Sequence, residues 1–301
     1  MPHIPVLLQE VIALTDPRLG EFVIDGTVGS GAHARAFAEI IGPKGKFLGV
    51  DWDEDSVTIA SKELQPLKKE KNIWPAVFIE QANYTEIPEI LRKKKIGKAD
   101  ILLLDLGFSS MQIDDPKRGF SFRAEEWAPL DMRYERKGPT AADEINGLPE
   151  SELADIIFRY GEERNARRIA HGIVAARRRK KFSTVQELVR AIHDSFPPSR
   201  QHGKIHFATR TFQALRIHVN HEFENIQKAM DDLQEVLGSG GRAAVITFHS
   251  AEDRIVKRAF RSLAEQKVAT LVTKKPVVPT REEVRRNPRA RSAKLRVIRL
   301  L

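Results

Sequence analysis

Short apolar runs alternate with helical patterns along the first hundred residues. Phe22–Asp25 is an apolar run that ends in an acid and is followed by glycines. Ala32–Ile41 has helical spacing and stops at Gly42-Pro43. Lys46–Asp51 predicts a second strand and residues 53–67 its helix. Residues 76–79 predict a third strand and 85–95 a third helix. Residues 101–105 are apolar up to a closing acid, the pattern of a strand buried on both faces. Strand–helix alternation at this spacing means βαβ units and a parallel sheet.

The rhythm breaks near Met111. From 111 to 211 no strand pattern stands out, and helical patterns cover 151–160, 163–179 and 184–195. Thr184 reads as the cap of the last helix, with Glu187 as its capping-box partner and Pro197-Pro198 as its stop. The α/β pattern then resumes. Residues 212–237 read as helix, Gly238-Ser-Gly-Gly241 as a break, 242–248 as a fifth strand and 252–265 as a helix. Residues 268–273 and 293–301 read as the last two strands. A basic, Pro-containing loop separates those two, so they are expected to pair antiparallel at a sheet edge. The implied architecture is α/β: a seven-stranded doubly wound, Rossmann-like sheet from residues 1–110 and 212–301, with a helical domain, 111–211, inserted after the fourth strand.

Composition narrows the chemistry. The 301 residues contain no cysteine, which excludes a disulfide framework, a Cys-ligated metal and a thiol nucleophile. The His and Asp residues show no metal-ligand spacing. No apolar run has the length of a membrane span, and no basic segment precedes the short N-terminal apolar stretch, so a cytoplasmic protein is expected. The net charge of +9 favours a polyanionic partner. That charge is clustered: residues 159–182 and 274–301 are both rich in Lys and Arg, including the run Arg177-Arg-Arg-Lys-Lys181. Two such segments suggest one nucleic-acid surface built from both.

The turn Asp25-Gly-Thr-Val-Gly-Ser-Gly-Ala-His33 joins a strand to a helix. Its glycines allow close backbone approach to a ligand at the strand's C-terminal end. Their order is G-x-x-G-x-G, not the dinucleotide order G-x-G-x-x-G. It looks like the first motif of S-adenosylmethionine (AdoMet) methyltransferases. Asp51, ending the second strand, could accept both ribose hydroxyls, and it would suit NAD equally well.

Asp105-Leu-Gly-Phe-Ser-Ser-Met-Gln112 makes the match closer. With Arg118-Gly-Phe-Ser-Phe122, Pro129-Leu-Asp-Met-Arg133, Phe248-His-Ser250 and Asn287-Pro-Arg-Ala-Arg291, the chain resembles the RsmH (MraW) family nearly end to end. That family methylates the N4 amine of a cytosine in the decoding centre of bacterial 16S ribosomal RNA. The resemblance implies AdoMet as cofactor, held by Gly31, Ala32, His33, Asp51, Tyr84, Asp105 and Gln112. It implies 16S rRNA within the small ribosomal subunit as partner; a homo-oligomer is compatible with it. Three positions depart from the family pattern. Ala32 replaces a glycine and fits only at negative φ, Met111 replaces a proline, and Ala251 replaces a leucine.

The chemistry needs an in-line nitrogen more than an activated electrophile, because AdoMet carries its own leaving group. A strand-end acceptor for the amine's N–H suits this, so Asp105 and Ser110 are candidates for contact with the reacting groups. His249, after the fifth strand, is a third candidate, equally readable as a hydrogen-bonded structural histidine. Competing readings are a methyltransferase for another substrate, a non-catalytic RNA-binding or ribosome-assembly protein on the same fold, and a nicotinamide oxidoreductase. The last is disfavoured by the glycine order.

Overall fold

The run Phe22–Asp25 (β1) is a strand buried at all four positions. In the computed structural model it lies at the centre of a seven-stranded sheet. The structure describes residues 5–65, 73–196 and 206–301. The other strands are Lys46–Asp51 (β2), Ala76–Gln81 (β3), Ala99–Asp105 (β4), Leu237–Thr247 (β5), Ala269–Leu271 (β6) and Lys294–Leu300 (β7). Their order is β3-β2-β1-β4-β5-β7-β6. The first five are parallel, and β7 runs antiparallel between β5 and β6.

Side-chain alternation along these strands builds two apolar layers. Ile24, Leu102, Leu104, Val245 and Ile298 feed one layer. Helices Ile87–Lys94 (α4), Glu222–Asp231 (α11) and Ser250–Glu265 (α13) contribute residues to it. Val23, Ile101, Leu103, Ile246 and Val297 feed the other, against Leu8–Thr15 (α1), Ala32–Ile41 (α2) and Glu54–Glu63 (α3). Burial on both faces is what the unbroken apolar run of β4 encodes.

The chain divides into two compact units, Met1–Gly107 with Phe223–Leu301, and Phe108–Glu222. Among its described residues the second unit holds helices Ser110–Asp114 (α5), Ala141–Gly147 (α6), Glu150–Gly161 (α7), Ala166–Arg177 (α8), Val185–Asp194 (α9) and Thr209–Val219 (α10). Thr184 caps α9 in a capping box with Glu187, as its spacing predicts. Pro197-Pro198 lies outside the described residues.

Several details differ from the sequence reading. The boundary expected at 211/212 falls after Glu222, because α10 packs along α7: Gln213 Nε2 donates to the Tyr160 carbonyl and Arg210 to that of Glu162. Gly238-Ser-Gly-Gly241 is not a break but the start of β5. Ala99 pairs with Leu237 and Ile101 with Arg242, so the glycines bulge out of register without ending the strand. The β6–β7 connection contains a helix, Arg281–Arg286 (α14), and a 3-10 turn, Pro288–Ser292. Helices α1 and α6 went unpredicted, and both are short.

Candidate active site

Parallel pairing brings Asp25, Asp51 and Asp105 to the C-terminal ends of three adjacent strands, β1, β2 and β4. The loop after β1 is tied to all three. The Thr27 N–H and hydroxyl both donate to Asp25 Oδ1, at 3.1 and 3.3 Å. The Thr27 oxygen accepts the Asp105 backbone N–H at 2.7 Å. The Gly29 N–H donates to Asp51 Oδ2 at 2.8 Å, and the Asp53 N–H to Asp51 Oδ1 at 2.9 Å. No cation faces any of them in these contacts. Burial pushes Asp25 up to about 7, helped by the nearby Asp51 charge, while bonds from Thr27 oppose it. Burial raises Asp51 to about 6 against the backbone donors. Asp105 is raised well above the ordinary range by burial, then by Asp25 and Glu252. Its Oδ1 is buried without a hydrogen-bond partner among the described residues.

The remaining residues expected at the cofactor take definite places. Gly31 is the N-cap of α2 at φ 85°, a left-handed backbone that a β-branched side chain resists. Ala32 is the first helical residue and is absent from the positive-φ positions, so its methyl group is tolerated. His33 is buried, and its Nε2 lies 3.1 Å from the Val6 carbonyl oxygen. Tyr84 opens a 3-10 turn after β3, beside the glycine loop: a Cβ built on Gly26 would lie 3.1 Å from the Tyr84 Cβ.

In the second unit, Gln112 is buried in the capping box of α5, its Oε1 accepting the Ser109 N–H at 2.9 Å. Ser110 begins α5, and its side chain lies outside what is described. His249 caps α13. Its Nδ1 accepts the Glu252 N–H at 3.3 Å, which leaves the ring proton on Nε2. Nε2 is 3.1 Å from Glu252 Oε1 but makes no hydrogen bond there. The ring therefore already has a structural task. Other buried polar residues are also structural. Asn220 donates to the Met132 carbonyl and accepts the Tyr134 N–H, while the Arg118 guanidinium donates to the carbonyls of Arg133 and Tyr134. These bonds hold Met132 at φ 64°.

A family model described as the MraW methylase family matches residues 1–301. The chain belongs to the MraW methylase family. This methylase is 44% identical over 303 residues to Ribosomal RNA small subunit methyltransferase H of Thermotoga neapolitana, covering 99% of this chain and 96% of that one. It is 40% identical over 314 residues to the protein of the same name from Syntrophobacter fumaroxidans, covering 99% and 96%. Among solved structures, TrmN from Thermus thermophilus matches with a TM-score of 0.47 at 12% identity, over 98% of this chain and 48% of that one.

The methyl donor is AdoMet, and the strand ends suit it. Desolvated carboxylates and an unbonded buried oxygen call for a cation. AdoMet brings two, a sulfonium and an ammonium. Asp51 retains lone pairs for ribose hydroxyls, and the first N–H groups of α2 have no intrahelical partner, which suits a carboxylate.

The sequence reading noted Asp25 only as an acid before the glycines. Its burial and its grip on Thr27 make it the brace of the loop. Its raised value has a sign that can be checked. Asp25 ionises near 3.8 when unfolded and near 7 when folded. Between those values the folded state holds more protons, so ionisation costs stability as pH rises. Asp25→Asn keeps an acceptor for Thr27 without the charge. Its stability relative to wild type should grow from about pH 4 to about pH 7 and stay flat above, as read by urea unfolding across pH. A difference that is constant with pH would show that Asp25 is not desolvated.

Proposed function

We propose that the methylase transfers the AdoMet methyl group to the N4 amine of a cytosine in the decoding region of small-subunit 16S rRNA. The observation that carries this reading is the strand-end carboxylate Asp105, with its unbonded buried Oδ1. An exocyclic amine has an N–H to donate and a delocalised lone pair that must be aligned. Asp105 supplies an acceptor for the first and so orients the second. Gly31, Ala32, His33, Asp51 and Tyr84 hold the cofactor in this reading. His249 supports the turn after β5. The relatives' name supports a ribosomal substrate. In this reading the methylase works in the cytoplasm; no helix among the described residues is long and apolar enough to cross a membrane.

The inserted unit recognises RNA in this reading. Arg164, Arg167 and Arg168 are exposed on or just before α8, and Arg178, Arg179 and Lys181 are exposed after it. Arg177 is different. It is partly buried, and its guanidinium donates to the Ile145 carbonyl in α6, so it belongs to the fold. Lys180 pairs with Glu187. Within the run 177–181, the cations open to phosphate are therefore Arg178, Arg179 and Lys181.

Two experiments test the reading. Incubating the methylase with tritiated AdoMet and small subunits from cells lacking it should place the label on one cytosine N4. Label on protein, or on another base, would refute the assignment. Changing Arg178, Arg179 and Lys181 to Glu should weaken RNA binding and flatten its salt dependence. Each lost phosphate contact removes about 0.7–0.9 from the slope of log K against log salt. AdoMet affinity should hold. Unchanged RNA affinity and slope would remove this cluster from the interface.

A further inference from the structure

One peptide group near the N-terminus connects the cofactor loop to the basic segment between β6 and β7. The Leu7 N–H donates to Glu283 Oε1 in α14 at 2.7 Å. The carbonyl of the same peptide, that of Val6, lies 3.1 Å from His33 Nε2, and the ring N–H donates to it. A trans peptide is rigid and planar, with its N–H and C=O pointing in opposite directions. Fixing one end therefore fixes the direction of the other. The chain of donors runs from the His33 imidazole through the peptide to the Glu283 carboxylate, and a charged acceptor at its end polarises every bond along it.

This arrangement is held against a backbone cost. Leu7 is a non-glycine residue at φ 53°, ψ 31°, capping α1. Such a left-handed conformation persists only where its surroundings impose it. Two constraints do so: the Leu7 side chain is fully buried, and Glu283 holds its N–H. Burial anchors the side chain but leaves the peptide plane free to tilt. Glu283 and His33 grip the plane at its two ends, so Glu283 constrains how the His33 ring sits. The far end of α1 is pinned independently, by Arg242 donating to the Thr15 and Asp16 carbonyls.

We propose that Glu283 is a positioning residue for AdoMet, acting through the Val6–Leu7 peptide to fix the orientation and Nε2–H tautomer of His33 beside the glycine loop. It sits among Arg281, Arg285 and Arg286 in α14. A polyanion gripping those arginines would bear on the same short helix, and so on the cofactor loop. The proposal rests on the reading that the loop from Gly31 to His33 holds AdoMet.

The test is a double-mutant cycle on AdoMet affinity by calorimetry, with Glu283→Ala, Glu283→Gln, His33→Ala and the Glu283→Ala/His33→Ala pair. Glu283→Ala should weaken AdoMet by about three- to tenfold, the worth of one hydrogen bond. Glu283→Gln keeps an acceptor oxygen and should bind near wild type. In the His33→Ala background, Glu283→Ala should add nothing. The 15N shifts of the His33 ring should show Nε2 protonated in wild type and a tautomer mixture in Glu283→Ala. Wild-type affinity in Glu283→Ala, or the same loss with and without His33, would overturn the proposal while leaving the loop reading intact. Wild-type affinity in His33→Ala would overturn both.

Discussion

Three carboxylates that no cation pairs among the described residues, at the ends of neighbouring strands, are the constraint around which this sheet is organised. Parallel pairing of β2, β1 and β4 sets Asp25 opposite Gly49 and Leu103, with Asp51 and Asp105 two residues further on at the same end of the sheet. The strands that carry them are apolar enough to be buried on both faces, so little water relieves the charge. The protein tolerates this through backbone donors. Gly29, Thr27 and Asp53 each point an N–H at a carboxylate, which requires the glycine-rich loop to fold back onto the strand ends. Of the three, Asp105 keeps a buried oxygen with no hydrogen bond among the described residues. A site in that condition favours a cationic ligand, and AdoMet is one.

The sequence carried much of this because strand ends are marked by chemistry as well as by hydropathy. An apolar run that closes on an acid and leads into glycines or a helix cap locates the C-terminal edge of a parallel sheet. The capping box at Thr184 was legible in the same way, whereas the one at His249 was hidden because histidine is an uncommon cap. What was not legible depends on contacts far apart in the chain. Nothing local shows that Gly238–Gly241 form a bulge inside β5, that α10 belongs with α7, or that Arg177 serves α6 instead of solvent. The runs of arginine looked uniform in sequence and are not uniform in structure.

Several buried polar residues prove to hold the backbone in place. Asn220, Arg118 and Met132 lock a left-handed turn in the inserted unit, and His33 grips the N-terminal segment. A motif residue near a reactive centre can therefore be essential without touching the reacting atoms. Separating the two roles needs measurements on binding and on structure, since loss of turnover alone reports both.

Whether AdoMet supplies the charge these carboxylates lack is tested most directly by calorimetry of AdoMet binding in buffers of different ionisation enthalpy, at pH 6–7. Asp51 and Asp25 sit near 6 and 7 before binding. An approaching cation favours their ionised forms and lowers both values, so binding should release protons. The release should shrink in Asp51→Asn and fade at pH 9, where both groups are already ionised. Binding with no proton exchange at pH 6–7, or with proton uptake, would contradict the account.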